Sequence, residues 1–230
     1  MEEQDKKTPE NQVGKDKREL TEAEKKRVEN FNKIVAELEG SGYKRVDLTI
    51  SLITANTVGL LATLPFIAIV IALYVLHNGT DIYGGFETMP WPVPVSFIIV
   101  IVIMAVGIVV HEGIHGLFWS FGTKNHLKDI EFGFVVQMLT PYCTCKVPLS
   151  KPIYILGSMM PMTILGFIPG IICVFLANPI LMIFSVIMIL GGAGDILISA
   201  LLFKHRTKGK KVVILDHPYE CGLVVFEKDK

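Results

Sequence analysis

Four long apolar runs dominate this chain, at roughly 52–76, 95–121, 153–176 and 179–203. Each reaches the length of about 20 residues that a helix needs to cross a bilayer. No water is present in the hydrocarbon to satisfy backbone N–H and C=O groups. Runs like these are therefore restricted to helices, whose backbone bonds close within the segment. Hydrophobic residues make up 51% of the 230, which excludes an ordinary soluble domain. The formal net charge is zero, so no nucleic-acid partner is expected. The expected fold is an all-α polytopic membrane protein with four transmembrane helices.

The loops orient the spans through their Lys and Arg content. Lys33, Lys44 and Arg45 precede the first run, and the 77–94 loop carries neither residue type. Lys124, Lys128, Lys146 and Lys151 follow the second run, and the corner at 177–179 again has none. Lys204, Arg206, Lys208, Lys210 and Lys211 follow the fourth. Both termini and the 122–152 loop are thus expected in the cytosol, with the protein integral to a membrane. The four cysteines, 143, 145, 173 and 221, fit no secreted disulfide spacing. On this orientation Cys143, Cys145 and Cys221 are reduced.

Three regions follow. Residues 1–47 form a cytosolic N-terminal region, 48–204 the four-span core, and 205–230 a cytosolic tail. Residues 1–19 are polar and charged and read as disordered. A helix is predicted over 21–39: Thr21 and Glu24 have capping-box spacing, and Val28, Phe31, Ile34, Val35 and Leu38 form one apolar stripe. Residues 129–138 and 142–147 read as two short strands with Thr140-Pro141 as the turn, a cytosolic β-hairpin between the second and third spans. The tail holds two more strand-like runs, VVIL and LVVF, around the polar turn DHPYECG. Asp216 and His217 in that turn read as surface residues.

The second span contains His111-Glu112-Gly113-Ile114-His115. An ionisable group at the centre of a span costs about 2.5–3.5 kcal/mol on insertion scales, so three of them within five residues require a compensating partner. Four residues apart on a helix, His111 and His115 share one face. Two imidazoles so placed can share one metal ion. Glu112 points about 100° away, a poor ligand position but a suitable one for a general base acting on water. This H-E-x-x-H spacing is that of zinc metallopeptidases. One Zn2+ per chain is the expected cofactor, and a catalytic zinc takes a third protein ligand.

Asp195 supplies a candidate. It is the ionisable residue of the fourth run, and it follows Gly191, Gly192 and Gly194. Counted back from the cytosolic ends of their spans, Asp195 and the HEGIH motif lie at matching depths, roughly 12–14 Å inside. The alternative is that Asp195 pairs with a buried polar group unrelated to any metal. Cys143 and Cys145 face the same way on a strand. They read as a packed pair, with a second metal site or a redox role as the alternative. Pro161 and Pro169 are expected to kink the third span.

HEGIH in one span, the hairpin after it, the Gly/Pro-containing stretch GSMMPMTILG at 157–166 and an aspartate in the next span resemble the site-2 protease group of intramembrane zinc metalloproteases. The resemblance is closer to a small prokaryotic family of zincin peptidases, and covers about residues 95–204. It implies zinc on His111, His115 and Asp195, with Glu112 activating water as the catalytic base. It also implies a substrate that is a transmembrane helix or membrane-anchored protein in the lipid bilayer. GAGDIL departs from the group's pattern around its aspartate, which has Asn-Pro before it and Gly after. Two other functions compete: a non-catalytic metal-binding scaffold or regulator, which has no need of Glu112, and a metal or proton transporter, which four spans without an inverted repeat do not favour.

Overall fold

The computed structural model describes residues 21–80, 92–135, 140–218 and 220–230. The segment expected to be disordered, 1–19, lies outside them, as do most of the 77–94 loop and the end of the first hairpin strand.

Helix α1 (Glu22–Gly40) starts as its sequence dictates. The Thr21 hydroxyl accepts the Glu24 backbone N–H, and the Glu24 carboxylate accepts the Thr21 N–H at 2.8 Å. This reciprocal pair satisfies two donors that a helix start leaves open. Strand β1 (Lys44–Thr49) leads into α2 (Leu52–Asn78), and α3 (Val93–Ser120) carries the HEGIH motif. Strands β2 (Ile130–Val135) and β3 (Thr140–Cys145) follow, then the two-residue β4 (Leu149–Ser150). Helix α4 (Lys151–Pro161) runs through a π-helical stretch, Met162–Phe167, into α5 (Ile168–Leu176). Helices α6 (Pro179–Gly191) and α7 (Ala193–Lys204) precede the tail strands β5 (Lys210–Asp216) and β6 (Gly222–Asp229).

Among the described residues, three helical stretches are long and apolar enough to cross a membrane: Ile53–Asn78, Pro94–Ser120 and Lys151–Leu176. The fourth run is a bent pair, with α6 and α7 meeting at 48°. The count is three, or four when the bent pair is one span. The break at Gly192 is held by packing: a Cβ on Gly59 of α2 would approach the Ala193 carbonyl oxygen to 2.8 Å, so only glycine lets α2 lie this close. Proline has no N–H to give the preceding turn, and the π-helical stretch begins directly after Pro161.

The all-α expectation was too narrow. Strands β1, β6, β5 and β4 form a four-stranded sheet in that order, all antiparallel, and β2 pairs with β3 in a second, two-stranded sheet. The first sheet joins the segment before α2 to the segment after α7, because β1 lies on β6. It also runs across the expected boundary at 47/48. The KRVDLT strand carries too few alternating apolar residues to announce itself, and its pairing with β6 is what makes it a strand. The β2–β3 pairing also corrects the turn: Val135 faces Thr140 and Phe134 faces Pro141, so Thr140-Pro141 belongs to β3. A proline is tolerated there because Pro141 stands opposite a residue with which it forms no narrow hydrogen-bonded pair.

Apolar side chains from α1 and the sheet make one core: Phe31 and Val35 pack on Leu215, Val224 and Phe226. Trp119, Cys145, Leu149, Tyr154, Ile214 and Val225 belong to another, which joins the sheet to the ends of α3 and α4. Phe226 is fully buried on the central strand β6. Phe226→Ala is expected to cost about 3–5 kcal/mol of the stability of this layer. Limited trypsin digestion checks it, with faster cutting at the α1 lysines in the variant.

Candidate metal centre

The structure brings together His111 and His115 of α3 and Asp195 of α7. One ligand atom from each lies within 4.8 Å of the others. His111 Nε2 stands 3.2 Å from Asp195 Oδ2, and His115 Nε2 stands 3.4 Å from Asp195 Oδ1. Ligands on a tetrahedron with bonds of about 2.0–2.1 Å are separated by about 3.3 Å, so both spacings suit a shared small cation. Both histidines are buried, and the Asp195 side chain is 19% exposed.

The tautomer of His115 follows from its other nitrogen. Nδ1 lies 2.9 Å from the Gly157 carbonyl oxygen, which can only accept, so Nδ1 carries the proton. Nε2 then turns its lone pair on a carboxylate oxygen 3.4 Å away. Two electron-rich atoms so placed repel unless a cation stands between them or a proton charges the ring. A backbone carbonyl behind a ligating imidazole is the usual outer partner of a metal-binding histidine.

The local sequence explains how each group arrives. The i, i+4 spacing sets the imidazole centroids 4.8 Å apart. Asp195 sits in the first turn of α7, directly after the Gly192 break, where the positive end of the helix dipole favours a carboxylate. His115 stacks on Trp119 at 5.1 Å, and Trp119 stacks on Tyr154 at 5.3 Å while donating Nε1–H to the Tyr154 carbonyl. Gly157 makes this possible, since a Cβ there would come within 2.1 Å of the indole.

A cavity of about 300 Å³ opens on the three residues. Glu112 lines it, half-buried, with its carboxyl facing the Cys143 backbone N–H. The register of β2 and β3 explains that approach. Lys146 N–H donates to the Asp129 carbonyl, which makes 131/144 and 133/142 the hydrogen-bonded pairs of the ladder. The backbone groups of Cys143 and Cys145 therefore point away from β2, along a free edge that runs beside Glu112. Asp216 ends that edge, accepting the Cys145 N–H at 3.1 Å and the Thr144 hydroxyl at 2.7 Å. The Tyr154 hydroxyl also donates to Asp216.

Several of these residues escaped the sequence reading. Asp216 read as a surface turn residue; it closes β5 and lines the cavity. Tyr154 and Trp119 carry no motif, although an aromatic one turn after His115 was a visible signal, and Gly157 opens the stretch GSMMPMTILG without a role having been read for it. Arg27 reaches the cavity from α1. Burial pushes the Cys145 thiol up to about 12, and pushes Cys143 further, with the Glu112 and Asp216 carboxylates adding to it. Neither is a thiolate near neutral pH, which favours the packed-pair reading.

Residues 103–209 match the model of a family described as "Putative zincin peptidase". The match spans both histidines, Glu112 and Asp195, and it supports a zincin-like metallopeptidase with zinc as its metal. No curated protein and no solved structure matches the chain.

Gly157→Ala tests the support behind His115. The added methyl displaces Trp119 from the imidazole and pushes the 157 carbonyl away from His115 Nδ1, and zinc affinity is expected to fall about 10-fold, the lower end of the cost of disturbing an outer-shell partner. Competition titration of the detergent-solubilised protein against a zinc-binding dye measures it.

Proposed function

We propose that this protein is a zinc-dependent intramembrane endopeptidase. It hydrolyses peptide bonds of membrane-embedded or membrane-anchored proteins. The observation that carries the reading is the convergence of the His111 and His115 Nε2 atoms on the two Asp195 oxygens, at 3.2 and 3.4 Å, within apolar helices. The donor set is two imidazoles and one carboxylate, which fits zinc and leaves a coordination position for water or substrate. Bound there, zinc supplies Lewis acidity toward a carbonyl and acidifies water at neutral pH.

The chain's own residues do the rest. Glu112 serves as the base that takes the proton from the attacking water and returns it to the leaving amine. Gly157 fixes His115 through Nδ1 and keeps its other nitrogen turned toward the ligand set. The walls contributed by α3, α4 and α7 limit water around the reacting carbonyl. A helical substrate must unwind to present that carbonyl, and an extended backbone needs hydrogen-bond partners. The free edge of β3 offers the Cys143 C=O beside Glu112, so the substrate is held by strand addition there. The bilayer is the second partner. Both termini and the sheet are assigned to the cytosolic side, which the distribution of Lys and Arg favours.

Two outcomes test the proposal. Asp195→Ala is expected to bring zinc content in purified protein from about one per chain to well below that, as elemental analysis of the metal reads directly. Glu112→Gln is expected to keep the zinc and to lower cleavage of a degenerate internally quenched peptide library at least about 100-fold. Full cleavage by Glu112→Gln would remove the residue from its assigned role.

A further inference from the structure

We propose that Arg27 of α1 is the specificity-determining cation of the catalytic cavity, selecting substrates with an acidic side chain close to the scissile bond. This rests on the peptidase reading above. Arg27 lines the cavity that holds His111, Glu112, His115 and Asp195, although it lies in a helix far from them in sequence. It also lines a second cavity of about 390 Å³ beside the first. Arg27, Thr144 and Asp216 line both and so form the partition between them.

The guanidinium is held but not consumed. It stacks over the Tyr142 ring at 4.8 Å, which fixes its plane. Its Nε is buried and makes no hydrogen bond. The nearest carboxylate, Glu131, stands 3.8 Å away, inside ion-pair range but beyond hydrogen-bond distance. The side chain as a whole is 22% exposed, and a ligand carboxylate reaches the guanidinium through that open part. The other acid of the partition is already engaged, since Asp216 accepts from Thr144, Cys145 and Tyr154. Lys26 and Lys146 on the far side of the partition add positive charge.

The position relative to the reacting bond follows from β3. A backbone added along its free edge pairs at Cys143, beside Glu112, and meets Asp216 at Cys145. Pairing stops there, two residues on, and a side chain at that point arrives at the partition. At about 3.3 Å per residue, the recognised acid is therefore about two or three residues from the scissile bond. Planar, bidentate recognition of a carboxylate is what a fixed guanidinium does best.

The test uses zinc-loaded, full-length Glu112→Gln protein in detergent micelles, so that binding is read without turnover. The probes are fluorescein-labelled decapeptide pools, degenerate except for Glu, Gln or Lys fixed at each position in turn, and the readout is fluorescence anisotropy. At one position the Glu pool is expected to bind about tenfold more tightly than the Gln pool. Adding Arg27→Gln abolishes that difference, and Arg27→Glu transfers the preference to the Lys pool. A merely structural role would weaken all pools alike and produce no transfer. Equal binding of the three pools, or a Glu preference that survives Arg27→Gln, overturns the assignment. Incubating the same pools with the wild type tests the underlying reading separately. Acid-selective binding without cleavage removes the peptidase and leaves Arg27 as a ligand-recognition residue, whereas cleavage with no acid-selective binding does the reverse.

Discussion

The hydrogen bond from His115 Nδ1 to the Gly157 carbonyl sets the geometry of the candidate metal centre. It fixes which imidazole nitrogen is protonated, and so turns a lone pair toward Asp195. That contact is unfavourable unless a cation stands between the two atoms or a proton charges the ring. The arrangement makes sense when a cation is shared among His111, His115 and Asp195. The bond also requires two helices to touch. Its acceptor lies on α4, and α4 reaches α3 this closely because residue 157 has no side chain.

A second layer of the structure serves the same end from outside the apolar region. The four-stranded sheet gathers β1 from before the first span and β5 and β6 from after the last. Its function is visible at Asp216. This one carboxylate ties β3 to α4, through Thr144 and Cys145 on one side and Tyr154 on the other. Tyr154 stacks on Trp119 and Trp119 on His115, so the tail is linked to a candidate ligand histidine through two aromatic contacts. Helix α1 lies over the sheet through Phe31 and Val35 and thereby carries Arg27 to the mouth of the cavity.

Much of this was legible in the sequence, and for identifiable reasons. The apolar runs and the capping box at Thr21 are local signals, with periods and spacings set by helix geometry. The HEGIH spacing is local as well, and depth counted along two spans was enough to nominate Asp195. What stayed hidden depends on contacts between distant segments. β1 is a strand because β6 lies beside it. Thr140-Pro141 looked like a turn because proline and threonine often make one, but the pairing with Phe134 and Val135 carried the strand through both residues. The fourth run read as one helix, and its bend at Gly192 depends on α2 packing at Gly59. Asp216, Tyr154 and Arg27 belong to no motif. Each gains its place from where the chain folds back, which a single sequence does not spell out.

Zinc K-edge X-ray absorption on the zinc-loaded protein tests the central claim most directly. Sharing by His111, His115 and Asp195 predicts a nitrogen and oxygen shell at about 2.0–2.1 Å, with multiple scattering from two imidazoles and no sulfur. Cys143 lines the same cavity and is the natural competitor. A sulfur shell at about 2.3 Å, or scattering from fewer than two imidazoles, would contradict the assignment.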